Sequence, residues 1–457
     1  MKKLISFSLV AVFLVTALFS CNGLKIKQTN KELTIYTNQN ISELITDVVN
    51  SFSYQYNGVK LNIIDMSNLS EEEYNTKLSA DISSGSGPDV ILMDESFLQN
   101  RDIYKMMYSG VFADINDLFK TDKSYKPNMY NQQIINAGKL NKKQLIVPLS
   151  YNIPLLITTE GVAQRDNISL DKCKTDKGLI DTLIDNIDNS VIPKTDSLFT
   201  LHEIEGLKII DYLKQETNLS KDQLKPSIEL YKAMYNAGYL NNVDKYDSIG
   251  RWYESQNNKK YTFELYGIDK KVDSCDDVAL AKTVMKEFDT PTMIPLVDSK
   301  GKINAKVNFA VGIRNNSANV QNAYHFIKML LEQDYQSKNV VGIPVNNDSF
   351  GVKIQKNLLI NNNSNSSCYF FRIKYLSESG ESKGFMFPED VPPMSSECFH
   401  EFINEYKQLT EKVAGAYFPT PISKGFYKYF IPYYIGETSY EDCIKKAEQE
   451  LAIYISE

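Results

Sequence analysis

Histidine is scarce: His202, His325 and His400 are the only three in 457 residues, and none stands in an H-E-x-x-H pair. The chain has no G-x-x-x-x-G-K-[ST] phosphate loop. Its one G-x-S-x-G spacing, Gly380-Glu381-Ser382-Lys383-Gly384, sits in the polar stretch SESGESKG without the apolar strand-to-helix setting of a nucleophile elbow, so the local signatures of zinc hydrolases, serine hydrolases and phosphate-loop enzymes are not made out. Gly85-Ser86-Gly87 lacks the lysine and runs into Pro88, which fits a tight turn. Paired-carboxylate glycosidases need no local motif, because two acidic residues can meet from anywhere; the order of strands and helices argues against that reading. What remains is recognition chemistry. Amide, carboxylate and phenol side chains gather at Asn38, Gln39 and Asn40, at Asp94, Glu95 and Ser96, at Tyr151 and Asn152, and at Tyr266 beside Gly267. Such groups give and accept hydrogen bonds with polar ligands, and aromatic faces offer apolar contact.

Each of these clusters also has a plainer reading. Asn is at home in turns without touching anything, and Asp94 and Glu95 suit the positive end of a helix. Trp252 is the only tryptophan, and a large aromatic on a helical stretch packs in a core more often than it stacks on a ligand. The C-terminal cluster Tyr429, Phe430, Tyr433 and Tyr434 reads as helix packing for the same reason.

The elements that must position these residues follow from periodicity. Glu32–Thr37 reads as a strand, Ile41–Tyr56 as a helix with apolar residues at i, i+3, i+4 and i+7, and Val59–Asp65 as a second strand. Ser70 caps a further helix whose first turn carries Glu71, Glu72 and Glu73. Asp89–Met93 is a continuous apolar strand of the kind buried on both faces. Strand, helix, strand, helix, strand in this order builds a doubly wound α/β sheet. Strands are expected again at Gln144–Pro148, Ile153–Thr159 and Val307–Ile313. Helices are expected at Ser227–Ala237, Val320–Glu332, Ser395–Val413 and Ser439–Tyr454, and a low-complexity loop at Asn361–Ser367. In an open α/β sheet, ligands lie beyond the carboxyl ends of the strands. That rule selects the Asn38 and Asp94 clusters.

The ends and the composition set further bounds. Lys2 and Lys3 precede an apolar run, Leu4–Phe19, that is short for a membrane span. Leu18-Phe19-Ser20-Cys21 resembles a bacterial lipobox, in which Cys21 takes a diacylglycerol and becomes the new N-terminus; Asn22–Lys31 then reads as a polar stalk. Net charge is −7, two units more negative once Lys2 and Lys3 leave, with no basic cluster for nucleic acid. An acidic surface argues against flat adsorption to an anionic membrane, so the lipid does the anchoring. The remaining length asks for two lobes. Of six cysteines, the five after Cys21 are widely spaced with no C-x-x-C, which favours buried free thiols over a metal site.

Several stretches in order resemble the extracellular solute-binding proteins of ABC transporters, family 1, whose members mostly bind sugars. They are "YNTKLSADISSGSGPDVILMD" (Tyr74–Asp94), "SGVFADI" (Ser109–Ile115), "IVPL" (Ile146–Leu149), "FAVGIRNNSANVQNAYHFIKMLL" (Phe309–Leu331), "GIPVN" (Gly342–Asn346), "YIG" (Tyr434–Gly436) and the terminal helix through Glu457. The resemblance implies a two-lobe periplasmic-binding-protein-like type II fold, α/β in each lobe with a mixed sheet, hinged by crossing strands. It implies a leader over 1–20, a lipidated stalk over 21–31, one lobe from 32–148 plus 309–343 and the other from 149–308 plus 344–457. Binding of a small solute, a sugar, without catalysis and without a cofactor follows, with delivery to ABC transporter permease subunits by a membrane-anchored monomer. The site residues implied are Asn38, Gln39, Asn40, Asp94, Glu95, Tyr151, Asn152 and Tyr266. A surface glycosidase-like lipoprotein and a ligand-sensing subunit for a membrane kinase are the alternatives.

Overall fold

The structure is a computed structural model. It describes residues 32–38, 42–56, 58–165, 167–186, 209–219, 221–237, 264–266, 290–298, 300–340, 342–353, 373–376, 382–385, 396–422 and 426–456. Cys21, Gln39, Asn40, Trp252 and the Asn361–Ser367 stretch lie outside these residues.

In chain order, β1 is Glu32–Thr37, α1 Ser42–Gln55, β2 Lys60–Asp65, α2 Glu71–Ser83 and β3 Val90–Met93. Two short helices follow, α3 (Glu95–Asn100) and α4 (Ile103–Tyr108), and then β4 (Ile146–Asn152) and β5 (Leu155–Thr159). Next come α5 (Asp176–Asp185), a small hairpin of β6 (Ile210–Asp211) and β7 (Glu216–Thr217), α6 (Lys221–Asn236), β8 (Glu264–Tyr266) and β9 (Pro291–Pro295). The chain returns through β10 (Ile303–Ile313), α7 (Val320–Leu331) and β11 (Ile343–Pro344), and ends with α8 (Ser396–Glu411), β12 (Val413–Tyr417) and α9 (Tyr440–Ser456).

The expected βαβ series is present. Both β2 and β3 pair with β1 in parallel. All four residues of β3 are buried, with Val90 and Leu92 in one core and Ile91 and Met93 in another, so the sheet is covered on both faces. That is why the strand is apolar throughout rather than alternating. The whole sheet is mixed and seven-stranded, ordered β11-β4-β10-β3-β1-β2, with β12 also on β10. Strand β10 serves two neighbours on one edge because it is long. Residues 310–313 pair antiparallel with β3, and residues 303–306 pair parallel with β12.

Asp89 anchors the start of β3. Its carboxylate accepts from Thr34 N, Ser317 Oγ and Asn319 Nδ2 at 3.0, 2.6 and 2.9 Å. On α7, Ala323, Phe326, Ile327 and Leu330 are fully buried at helical spacing. The helix ends at Leu331 and a second short one follows, Gln333–Asn339.

A second, antiparallel sheet of three strands is ordered β8-β5-β9. Its core draws on Leu156, Ile294 and Leu296 with residues of α5, α6 and α9. The chain passes from the large sheet to the small one between β4 and β5, and back between β9 and β10. These are the crossing strands of the hinge. Two boundaries differ from the periodicity. Where two strands were expected at Gln144–Pro148 and Ile153–Thr159, β4 continues through Asn152 because its residues pair with β10 as far as Lys306. The helix expected over Ser395–Val413 gives way to β12, whose strand conformation comes from pairing with β10. With β12, and with Phe402 and Tyr406 of α8 in the large sheet's core, the segment after 344 is shared between the two sheets.

Candidate functional site

The ends of β4 and β12, an inner residue of β10 and the start of α3 converge where the chain crosses between the sheets. On β4 the side chains alternate, so Ser150 and Asn152 share one face and Tyr151 takes the other. Asn152 stands opposite Lys306 of β10, and Tyr417 of β12 flanks Lys306 on its other side. Lys306 Nζ reaches 2.8 Å to Glu95 Oε1, in the first turn of α3. Its side chain is 6% exposed and that of Glu95 is 24% exposed, so the ion pair is largely removed from water. Ser150 Oγ donates to Asn308 Oδ1 at 2.9 Å.

Gly342, the residue before β11, abuts this group. Its φ is +86°, and a Cβ there would fall 2.6 Å from Asn308 Nδ2 and 2.8 Å from Asn152 Oδ1. Glycine is required by both the backbone and the crowding. Lys353 Nζ donates to Gly342 O at 2.9 Å, and burial pushes its amine down to about 7. Asn152 is 4% exposed, and its Oδ1 has no hydrogen-bond partner among the described residues. Asn38 Oδ1, just past β1, is likewise buried without one.

The residues expected at the site fall into distinct groups. Glu95 and Asn152 come together with Lys306, and Asn38 lies at the same carboxyl side of the parallel strands. Asp94 is the N-cap of α3, with Oδ1 accepting from Phe97 N at 2.8 Å. Tyr151 is 2% exposed within the main core, and its hydroxyl accepts from Asn131 Nδ2 at 3.4 Å. Tyr266 pairs by its backbone with Leu155, and its side chain lies outside the described residues. Phe430 and Tyr434 pack in the second core, as helix packing requires. Lys306, Asn308, Gly342 and Lys353 were missed. A signal existed for two of them, because Lys306 and Asn308, with Asn304, interrupt the otherwise apolar strand INAKVNFAVGI.

Among the described residues no group of three or more His, Cys, Asp or Glu is placed to hold a metal. None of the described helices is long and apolar enough to cross a membrane. Cys173 and Cys443 are buried free thiols.

Comparison with known families decides the identity. The model for the bacterial extracellular solute-binding proteins matches residues 47–357, more than half of the chain. The chain belongs to that family. Solved structures of solute-binding proteins share its fold. The sugar-binding protein MalE from Xanthomonas citri is similar over 93% of this chain and 97% of its own, at 12% identity and a TM-score of 0.63. A putative oligosaccharide periplasmic-binding protein from Synechococcus sp. MITs9220 is similar over 93% and 99%, at 14% identity and a TM-score of 0.58. The ABC substrate-binding protein Lmo0181 from Listeria monocytogenes, solved in complex with cycloalternan, is similar over 94% and 100%, at 14% identity and 0.52. No curated protein matches the sequence. Solute binding is the role of this family, and its two-lobe fold is that of binding proteins.

Proposed function

We propose that this solute-binding protein takes a neutral, hydroxyl-rich solute, a carbohydrate, between its lobes and delivers it unchanged to an ABC permease. The observation that carries the reading is Asn152 Oδ1, without a hydrogen-bond partner among the described residues and buried at the end of a crossing strand beside the Glu95–Lys306 pair. A buried amide oxygen without a donor costs about 1–3 kcal/mol, and a solute hydroxyl would supply that donor. Glu95 and Lys306 neutralise one another, so that pair offers no net charge to a ligand. Asn38 adds a second acceptor without a partner among the described residues. The complexes of fold relatives with sugars, such as the cycloalternan complex of the Listeria protein, support the same class.

The lobes are 32–148 plus 309–343 and 149–308 plus 344–457, with β12 and α8 seated on the first. Cys21 is the lipid attachment site and residues 21–31 the stalk, which keeps the monomer at the outer face of the membrane. Asn38, Gln39, Asn40, Asp94 and Glu95 are assigned to the wall of the first lobe, while Asn152 and Tyr266 approach from the second lobe or its crossing. Tyr151 holds β4 from the core side. Mass spectrometry of material released from the gently denatured protein tests the reading. A neutral saccharide at one per chain is expected; an ionic solute, or turnover of an oligosaccharide by the purified protein, overturns it. Cys21→Ala is expected to remain unlipidated and uncleaved.

A further inference from the structure

Glu95 does not share its two oxygens between its two partners. Lys306 Nζ and Gln99 Nε2 both donate to the same atom, Oε1, at 2.8 and 2.9 Å. Oε2 accepts from no described residue. The Glu95 side chain keeps 24% of its surface in water, whereas that of Lys306 keeps 6%. One oxygen is tied down from two directions, and the other is left open. A helical i,i+4 contact between Gln99 and Glu95 is ordinary, but it does not require that both donors meet on one oxygen.

The helix that carries the pair is itself fixed. Asp94 caps the start of α3, and Phe97 and Leu98 are buried. Glu71, in the first turn of α2, reaches both ends of α3: Ser96 Oγ donates to its Oε1 at 3.3 Å, and Arg101 Nη2 lies 3.0 Å from its Oε2. The Arg101 guanidinium lies over the rings of Phe97 and Tyr74, 4.1 and 4.5 Å from their centres. With the backbone held in this way, a change at the half-buried Gln99 reaches the orientation of the Glu95 carboxylate and leaves the helix in place. The atoms without partners on this face are also of one kind. Asn152 Oδ1 and Asn38 Oδ1 are acceptors, and a carboxylate oxygen can only accept. Donors are what the face lacks.

We propose that Gln99 and Lys306 are positioning residues, which pin Glu95 Oε1 so that Oε2 receives a donor hydroxyl of the solute beside Asn152. Two donors on one oxygen hold the plane of the carboxylate. With Lys306 as the sole donor, the carboxylate can swing to face the ammonium with both oxygens and so withdraw from the solute. The inference rests on the carbohydrate reading of the site and adds to it Gln99, which acts through Glu95 and need not touch the solute.

Neutral hexose carried per chain through purification, measured after acid hydrolysis of the desalted protein, tests the role. Gln99→Met keeps the length and removes the donor, and its retained hexose is expected to fall about fivefold at an unchanged melt. Gln99→Lys returns a donor with Glu four residues before it, the favoured order, and is expected to stay within about twofold of the wild type. Packing alone would give the reverse ranking, because methionine replaces the glutamine shape better than lysine does. Full retention by Gln99→Met overturns the proposal, and so does an equal loss in both variants. Should Gln99→Met melt lower than the wild type, Gln99→Glu keeps the shape and opposes the Glu95 charge; it is expected to lose hexose, and full retention by it overturns the proposal equally. A wild type that carries no hexose overturns the carbohydrate reading and the inference with it, whereas a loaded wild type with an indifferent Gln99 overturns the inference alone.

Discussion

Lys306 on β10 and Glu95 at the start of α3 are 211 residues apart in sequence and 2.8 Å apart in space. The contact links β10, which runs on from the crossing between the sheets, to the first turn of α3. The two ends are not equivalent, because Lys306 is almost fully buried while Glu95 keeps a quarter of its surface in water. Removing Glu95 leaves a charge that water cannot easily reach, whereas removing Lys306 leaves one that can hydrate. Glu95→Ala is expected to lower stability by about 2 kcal/mol, and Lys306→Met by clearly less. Chemical denaturation of both variants checks the order; an equal or inverted pair of losses would show that burial is not what separates them.

Asp94 is asked to do two things. As N-cap, its carboxylate holds Phe97 N, and Asp94→Ala is expected to cost about 1 kcal/mol of stability. Asn caps as well as Asp does, so Asp94→Asn should melt like the wild type. A contact to the solute made by the charge would still weaken in that variant. Calorimetry with the saccharide recovered from the protein separates the roles: a drop in affinity for Asp94→Asn at unchanged melting assigns the charge to the site, and unchanged affinity leaves it a cap.

How far the sequence carried depends on the range of each interaction. The capping box at Ser70, with Glu73 N donating to Ser70 Oγ and Ser70 N to Glu73 Oε2, is written within four residues and was legible. So was β3, whose unbroken apolar run already says that both faces are covered. β12 was not legible. Val413-Ala-Gly-Ala-Tyr has weak strand propensity of its own, and only its pairing with β10, more than a hundred residues upstream, makes it a strand. The same holds for the site. Asn152 and Glu95 could be named from strand ends, but their meeting at Lys306 depends on register, which short-range pattern does not encode. Tyr151 illustrates the alternation, since one step along the strand moves a side chain from the polar face to the core.

Gly342 makes a sharp prediction about this face. An alanine methyl would have to displace the Asn152 and Asn308 amides while holding a φ of +86°. Strain of that kind costs about 1–3 kcal/mol. Gly342→Ala is expected to melt lower and to retain less saccharide through purification. A variant that retains solute as the wild type does would remove Asn152 from the site.

Asp176, at the start of α5, has a buried Oδ1 without a hydrogen-bond partner among the described residues and lines a small apolar pocket with Leu179, Leu183 and Leu296. Burial, with Asp298 nearby, raises its carboxyl to about 6. The folded form therefore holds a proton between about pH 4 and 6 that the unfolded chain has lost, and stability falls as pH rises through that window. Asp176→Asn is expected to stabilise the protein at pH 7, on the order of 1 kcal/mol after allowance for solvent screening, and to make no difference near pH 4. Melts at the two pH values check it, and an equal effect at both would refute the titration.

Lys353 gives the opposite sign. Its amine is lowered to about 7 by burial, against an ordinary value of 10.5. Between those limits the unfolded chain carries a proton that the folded protein lacks, so the wild type gains stability as pH rises from about 7 toward 10, by at most about 1.4 kcal/mol per pH unit. Below pH 7 both states are protonated and the full cost of burying the cation is present. Lys353→Met removes that cost along with the hydrogen bond to Gly342 O. Its advantage over the wild type should therefore be greatest near pH 6 and shrink steadily to pH 9. At pH 9 the neutral lysine of the wild type keeps its hydrogen bond and the methionine has none to offer. Denaturation of both proteins across this range measures the difference directly. A difference that stays constant with pH would mean that Lys353 keeps its proton in the fold, and that Gly342 is held by a charged group rather than a neutral one.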